Sequence, residues 1–358
     1  MEDRSINMNL SELRIGYLPY DQNFRKPGDN RRFVYYANRR NLNFEIANPS
    51  EKYDLLVLSQ NADLSIWPDY NLGGNTKIVY EAINSYLAVP KNELKGRLRS
   101  FAKFVSRKSK HLRFNEWKAI EDMCSRADAV VCSTSEQEID IKPFCDNVHL
   151  ILDVHSEVST RVKNNYKSDK IFNIVWEGMA DNVYQFEILK NVFSDLETRH
   201  EIALHFVTDL TYFKYLGKYG KKNTIDIVKG LCKNIYLYDW NKLTCSEIIC
   251  STDLAVIPVD LTNPLVLGKP ENKLLLFWRM GMPTITSSTP AYNRSMDKAG
   301  LPMTCANEKQ WIATIEKYLN DENLRRKAGL AGKKLTELEY NEEITLKKWD
   351  ALFKSLYN

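Results

Sequence analysis

The sequence predicts an α/β protein of two doubly wound, parallel-sheet domains in tandem, and three observations predict it. Short apolar runs alternate with helical patterns throughout, as parallel strands buried between helices require. That alternation stops at an aperiodic polar segment and then begins again. The 358 residues exceed the usual size of one domain and suit two of roughly 150 to 180 residues.

In the first half the strand candidates are Leu13 to Tyr20 (LRIGYLPY), Asn43 to Asn48, Asp54 to Ser59, Lys77 to Ala82, Ala127 to Thr134 and Val148 to Asp153. They are rich in apolar, often β-branched residues and are bounded by turn formers. The segment His155 to Lys170, HSEVSTRVKNNYKSDK, has no periodicity and reads as the linker. The second half repeats the pattern at Ile171 to Gly178, Glu201 to Asp209, Asn234 to Trp240, Asp253 to Val259 and Pro283 to Ser288. From Glu308 the chain is helical, with Trp311, Ile315 and Leu319 at helical spacing and Trp349, Leu352 and Leu356 on a last amphipathic helix. Two open parallel sheets in tandem place the carboxyl ends of their strands, and so the natural ligand crevice, toward the gap between the domains.

Apolar residues make up 44% and charged residues 27% of the chain, a globular composition. A net charge of +4 does not indicate a nucleic-acid binder, and no module signature of one is present. The seven cysteines are odd in number and scattered without a C-x-x-C, which argues against a disulfide framework or a zinc site and fits a reducing cytoplasm. The N-terminus lacks a signal-peptide core, and no run of about 18 apolar residues would span a bilayer. A soluble or peripheral protein is expected.

The stretch GKPENKLLLFWRMGMPTITSSTPAY, Gly268 to Tyr292, gathers the chemistry-bearing residues of the second half. Pro270 can open a helix, where its missing N–H is no loss, and Gly281 followed by Pro283 closes it. Leu274, Leu275, Phe277 and Trp278 form its sheet-facing side. The helix start carries free N–H groups and partial positive charge, to which Lys269 and Lys273 add two full charges, an arrangement suited to phosphate. A plain core helix with solvated lysines accounts for these residues equally well. Glu271 and Asn272 stand between the two lysines.

The order Lys, several apolar residues, then MGMPTITS resembles a stretch in the C-terminal domain of glycosyltransferases with the B-type fold (GT-B), two Rossmann-like domains, especially the retaining family-four kind. Lys273 falls at the family's Lys, and Gly281 and Pro283 at its Gly-x-Pro. IVWEG with DNVYQFEILKNVFSDL resembles the first strand and helix of that domain, STDLAVIP one of its later strands, and Trp311 to Phe353 its C-terminal helices. Gly28 to Ala47 is similar to N-terminal regions of polysaccharide-cluster transferases.

The resemblance implies an acceptor domain at residues 1–155, a nucleotide-sugar donor domain at 156–340 and a C-terminal helix, 341–358, that returns to the first domain. It implies a metal-independent transferase without a cofactor. Such an enzyme moves a sugar from a nucleotide donor to a lipid-linked or oligosaccharide acceptor in surface polysaccharide synthesis, such as O-antigen or capsule. Lys273, Lys269 and Glu271 are then the catalytic candidates, the lysines neutralising the leaving phosphate. Asn272, Ser287, Ser288, Thr289 and Tyr292 are donor-binding candidates, and Trp240 stands where the family contacts the base. Capping of a helix that starts near Pro290 explains the hydroxyls as well, and packing between helices explains Trp240. Two departures stand out. Gly268 and Leu276 occupy positions where the family usually has glutamates, and EGMADNVYQ lacks the Arg and Lys that hold the diphosphate.

In the first half the loop DQNFRKPGDNRRF brings Gly28 to Arg31 and Arg32, which the resemblance implies face the donor phosphates and acceptor. A helix-opening Asp29 with solvated arginines is the other account. An inverting reaction needs a base, for which Asp21, Asp63 and Glu81 follow strands; a retaining one needs none. His155 reads as structural. From Lys91 to Lys118 there are ten Lys/Arg against Glu93 and Glu116, with Leu94, Leu98, Phe101, Phe104 or Val105, Lys108 and Leu112 on a helical stripe. Such a basic amphipathic helix docks on anionic lipid or packs on the sheet. The rival function is a non-catalytic GT-B-like glycan-binding or scaffold protein of a polysaccharide assembly complex. A nucleotide-sugar epimerase is a third, and it does not account for the returning helix.

Overall fold

In the computed structural model, which describes residues 10–24, 26–89, 97, 101, 104, 105, 109–111, 115–215 and 219–357, the chain forms two units. One comprises Met1–Val154 with Glu342–Asn358, the other His155–Asn341. The first is built on a parallel sheet of β1 (Ile15–Leu18), β2 (Glu45–Ile46), β3 (Leu55–Leu58), β4 (Lys77–Glu81), β5 (Ala129–Cys132) and β6 (Val148–Leu150), in the spatial order β2-β1-β3-β4-β5-β6. Every residue of β3 and β5 is buried. LLVL and AVVC are therefore unbroken apolar runs, as strands covered on both faces must be. Ile15 to Leu18 pair in register with Leu55 to Leu58.

One face of this sheet is covered by the Glu116–Arg126 helix, whose Trp117, Ile120 and Met123 join Leu56, Ile78 and Val130 in a common core. Asn115 caps that helix, its Oδ1 accepting from Trp117 N at 3.0 Å. On the other face lie the Phe33–Arg39 helix and the chain's last helix, Glu342–Ser355, which contribute Phe33, Tyr36, Leu346, Trp349, Leu352 and Phe353. The Trp349 ring stacks on Tyr36 and on Phe353, each at 5.8 Å, and meets Phe33 at 6.2 Å. Asp350 fixes the helix from its polar side, accepting from Arg40 Nη2 at 2.6 Å and from Tyr36 Oη at 2.9 Å. The last helix thus belongs to the first unit because its apolar stripe is part of that unit's core.

The second unit repeats the plan with β7 (Phe172–Glu177), β8 (Ile202–Thr208), β11 (Asn234–Asp239), β12 (Leu254–Ile257), β13 (Thr284–Ser287) and β14 (Thr304–Cys305), all parallel, in the order β11-β8-β7-β12-β13-β14. An antiparallel hairpin, β9 (Thr211–Tyr215) and β10 (Tyr219–Asn223), stands outside this sheet. The Asn272–Arg279 helix packs Leu274 to Trp278 in the core and ends at Gly281, whose φ of 70° is the left-handed cap foreseen for it.

The segment expected to be a linker is packed. Lys163 Nζ donates to the carbonyls of Thr252 at 2.6 Å and Cys250 at 3.2 Å, and Tyr166 Oη donates to the Gly281 carbonyl at 2.9 Å. Arg325, 2% exposed, donates to the Tyr166 carbonyl through Nη2 at 2.7 Å and to the Tyr318 carbonyl through Nη1 at 2.7 Å. Most of residues 160–170 are exposed, and the stretch is anchored at Lys163 and Tyr166, which are buried where they meet backbone carbonyls left open at helix ends.

Candidate functional site

An open parallel sheet binds ligands beyond the carboxyl ends of its strands, at the point where the strand order reverses. In the second unit that point lies between β7 and β12. β7 ends in Trp176 and Glu177 and turns at Gly178. Lys273, on the first turn of its helix, reaches across to this turn. Its Nζ lies 3.6 Å from Glu177 Oε2, donates to the Glu177 carbonyl, and sits 4.6 Å from the centroid of the Trp176 ring. A Cβ at residue 178 would collide with that Nζ, so the approach requires glycine. Trp240, just past β11, donates its indole N–H to Glu177 Oε1 at 3.0 Å.

Lys269 joins the same region, donating to Asn182 Oδ1 at 3.3 Å. Burial first, and then the charge of Lys273, push its amine below the usual lysine range, with Asp181 acting in the opposite direction. Two ammonium groups and a helix start are thus brought to one strand end, a combination that can meet a phosphate. Glu177 offsets one of the charges.

The remaining candidates are placed differently. Asn272 is the first residue of the helix and is partly exposed. Glu271 is buried, and its charge, after burial as the larger cause, raises the phenol of Tyr292, itself 2% exposed. Ser287 ends β13 and prolongs its pairing with β12, since its Oγ donates to the Val259 carbonyl and accepts from Val259 N, both at 2.9 Å. Ser288 donates to Asn293 Oδ1 at 3.0 Å, and Thr289 caps the Pro290–Ala299 helix by accepting from Tyr292 N at 3.3 Å. These hydroxyls are engaged in local structure. Lys269 stands close enough to Lys273 to feel its charge, and Lys273 and Trp240 meet at Glu177, a residue not singled out from the sequence. Its one signal there was its place at the end of the second sheet's first strand.

In the first unit the strand order reverses between β1 and β3. Asp29, fully buried, accepts from Tyr20 N at 2.7 Å, Asp21 N at 3.1 Å and Tyr17 Oη at 3.0 Å, and so ties the loop after β1 to the Pro27–Arg31 helix. A Cβ at Gly28 would press on the Tyr20 ring at 2.9 Å. Neither arginine is solvated: Arg31 is 8% and Arg32 1% exposed. Arg32 Nε donates to Glu81 Oε1 at 3.1 Å and Nη1 to Asp153 Oδ1 at 2.8 Å, while Tyr20 Oη donates to Glu81 Oε2 at 2.7 Å. Burial raises the Glu81 carboxyl, and Arg32 opposes this. Arg32 is therefore committed to two carboxylates, because its forked guanidinium reaches the ends of β4 and β6 together. Asp63 holds a turn, accepting from Ser65 N at 2.9 Å and Lys110 N at 2.7 Å, and His155 is 3% exposed.

Most of the basic stretch 91–118 lies outside the described residues. Within it Arg97, Phe101, Phe104 and Val105 are helical, and the last three are 56%, 41% and 64% exposed. Among the described residues no helix is long and apolar enough to cross a membrane.

Two six-stranded parallel units, the first completed by the chain's last helix, are the GT-B fold, the architecture of B-type glycosyltransferases. No family model and no curated protein sequence matches the chain. Among solved structures it is similar to Anabaena HepE in complex with UDP and glucose, with a TM-score of 0.64 and 10% identity over 96% of this chain and 100% of that one. It is also similar to sucrose-phosphate synthase from Thermosynechococcus elongatus, with a TM-score of 0.60 and 12% identity over 95% of this chain and 80% of that one. A third similarity is to TarM of S. aureus, with a TM-score of 0.59 and 12% identity over 84% of this chain. The chain spans about half the length of TarM, 54%.

Proposed function

We propose that the protein is a glycosyltransferase that binds a nucleotide sugar beyond β7 and β12 of its second unit and transfers the sugar to a lipid-linked or oligosaccharide acceptor of a surface polysaccharide. The observation that carries this reading is the convergence of Lys269, Lys273 and Trp240 on one strand end of a GT-B fold. In the proposed mechanism Lys273 and Lys269 balance the charge that develops on the leaving phosphate, and Trp240 stacks on or edges the base. Arg32, Glu81 and Asp153 are assigned to shaping the acceptor side, as a buried frame for the loop after β1.

The test is a thermal-shift screen of UDP, GDP, ADP, TDP and CMP on wild type and Lys273→Ala. A nucleotide present at about 100 times its Kd stabilises by about 2.7 kcal/mol, a readily measured rise. A rise with one nucleotide that is lost in the variant supports the reading; no rise with any of them at millimolar concentration counts against it. Gly268 and Leu276, standing in place of the family's glutamates, favour a second reading, a non-catalytic GT-B-like scaffold. That reading expects no turnover and no effect of Lys273→Ala.

The proposal extends to an anionic membrane surface contacted by the stretch 91–118, where exposed Phe101, Phe104 and Val105 lie among basic residues. Each Lys or Arg near such a surface contributes on the order of 1 kcal/mol. Flotation with phosphatidylglycerol vesicles is expected to carry the wild type, and to leave Phe101→Ser/Phe104→Ser/Val105→Ser behind. Equal flotation of both chains sinks this part of the proposal.

A further inference from the structure

The crevice beyond β7 holds a carboxylate beside the cation that a phosphate would meet. Glu177 lies 3.6 Å from Lys273 Nζ through Oε2 and is held in place by Trp240, whose indole N–H donates to Oε1 at 3.0 Å. Its side chain is only 12% exposed, and that of Lys273 25%, so water screens the pair weakly. The Lys273 ammonium is also engaged by the Glu177 carbonyl and the Trp176 ring. Its cationic neighbour Lys269 feels the opposing charge of Asp181. Lys273 is thus paired with a carboxylate before any ligand arrives, and Lys269 lies in the field of another.

We infer that Glu177 is a specificity-determining residue of this crevice: it engages Lys273 in the ligand-free protein and opposes every negative charge a ligand brings, biasing the site toward donors whose leaving group carries a single phosphate. The inference rests on the nucleotide-sugar reading and deepens it. A nucleoside diphosphate places one more negative charge near Glu177 than a nucleoside monophosphate does. At about 5 Å, through an effective dielectric of about 20 to 80, one such charge changes affinity by about fourfold to a few hundredfold. Glu177→Gln removes the charge and keeps an oxygen for Trp240 to donate to, so the change is close to a pure charge deletion.

The experiment is isothermal titration of the full chain and of Glu177→Gln with three ligand series: nucleoside, nucleoside monophosphate and nucleoside diphosphate, for uracil, guanine and adenine. For the base that binds, the nucleoside is expected to bind both chains alike. The monophosphate should bind the variant about tenfold more tightly than wild type, and the diphosphate more tightly still. Glu177→Gln/Lys273→Ala should lose most of the gain, because the released cation is absent. Glu177→Ala, which also removes the acceptor for Trp240, should show the same dependence on ligand charge, which a purely structural role for Glu177 would not produce. If wild type and variant bind the charged ligands equally, or the variant binds them more weakly, the inference is overturned while nucleotide binding itself stands. If no nucleotide of any base binds either chain, the donor reading falls and the inference falls with it.

Discussion

Replacing Arg32 by Met removes the one guanidinium that bridges Glu81 and Asp153. Arg32 and Glu81 have side chains 1% and 0% exposed, and Asp153 18%. Breaking a buried pair from one side leaves an uncompensated charge and costs about 3 to 5 kcal/mol. For a unit of this size that lowers Tm on the order of 10 °C. The pH dependence gives the result its signature. The Glu81 carboxyl is raised in the fold, burial being the largest cause and Arg32 the leading opposing one. A raised acid binds its proton more readily folded than unfolded, so its charge costs stability above the folded pKa and the cost is relieved as pH falls. Without Arg32 the carboxyl rises further, so the gap between variant and wild type should narrow between pH 7 and pH 5. Scanning calorimetry at the two values is the assay, and Arg32→Met/Glu81→Gln should recover part of the loss. A drop below about 2 °C at pH 7, or a gap that does not narrow on acidification, would refute the buried-pair account.

Four further outcomes are expected. Trp349→Ala, which empties the stack with Tyr36 and Phe353, should destabilise the protein by about 3 to 5 kcal/mol in urea melts; a loss below about 1 kcal/mol would mean that the last helix is not integral to the first unit's core. Gly329→Ala puts a Cβ into the Gly281 carbonyl oxygen and 2.8 Å from Tyr166 Oη, where backbone must move, and should cost about 1 to 3 kcal/mol. Gly178→Ala meets the Lys273 ammonium and, at 2.7 Å, Cζ2 of the buried Trp176 ring, and should cost about 1 to 3 kcal/mol while weakening nucleotide binding. His205, bonded to Asn173 Oδ1 at 2.9 Å and Tyr238 Oη at 3.1 Å, is pushed down by burial to about 4 from 6.5. A lowered base is protonated more readily unfolded, so its contribution is whole above pH 6.5 and lost as pH falls toward 4. His205→Gln should flatten that part of the stability profile.

The central strands of both sheets were legible because their burial on two faces leaves unbroken apolar runs such as LLVL, AVVC and LAVI. The cap at Gly281 was legible because only a residue at ease with positive φ closes a helix that way. The hairpin β9–β10 escaped notice, since TYFKY and YGKKN mix lysine and glycine among aromatics and lie outside the main sheet. β14 has two residues and leaves no pattern. The anchoring of segment 155–170 at Lys163 was not legible because sequence shows a lysine's charge and not the Cys250 and Thr252 carbonyls that receive it. The hydroxyls at 287–289 were ambiguous for a physical reason: a cap and a ligand contact ask for the same side chains. Glu177 could not be ranked, because its partners Lys273 and Trp240 come from elements some 60 to 100 residues away and meet only when the sheet forms.

The central claim, that the strand ends of β7 and β12 hold a nucleotide, is tested most directly by hydrogen exchange of the full chain with and without the nucleotide that stabilises it best. Protection is expected in segments 176–182, 238–243 and 268–275, and should disappear in Lys273→Ala. Unchanged exchange in all three segments under saturating nucleotide, or protection confined to the first unit, would contradict it.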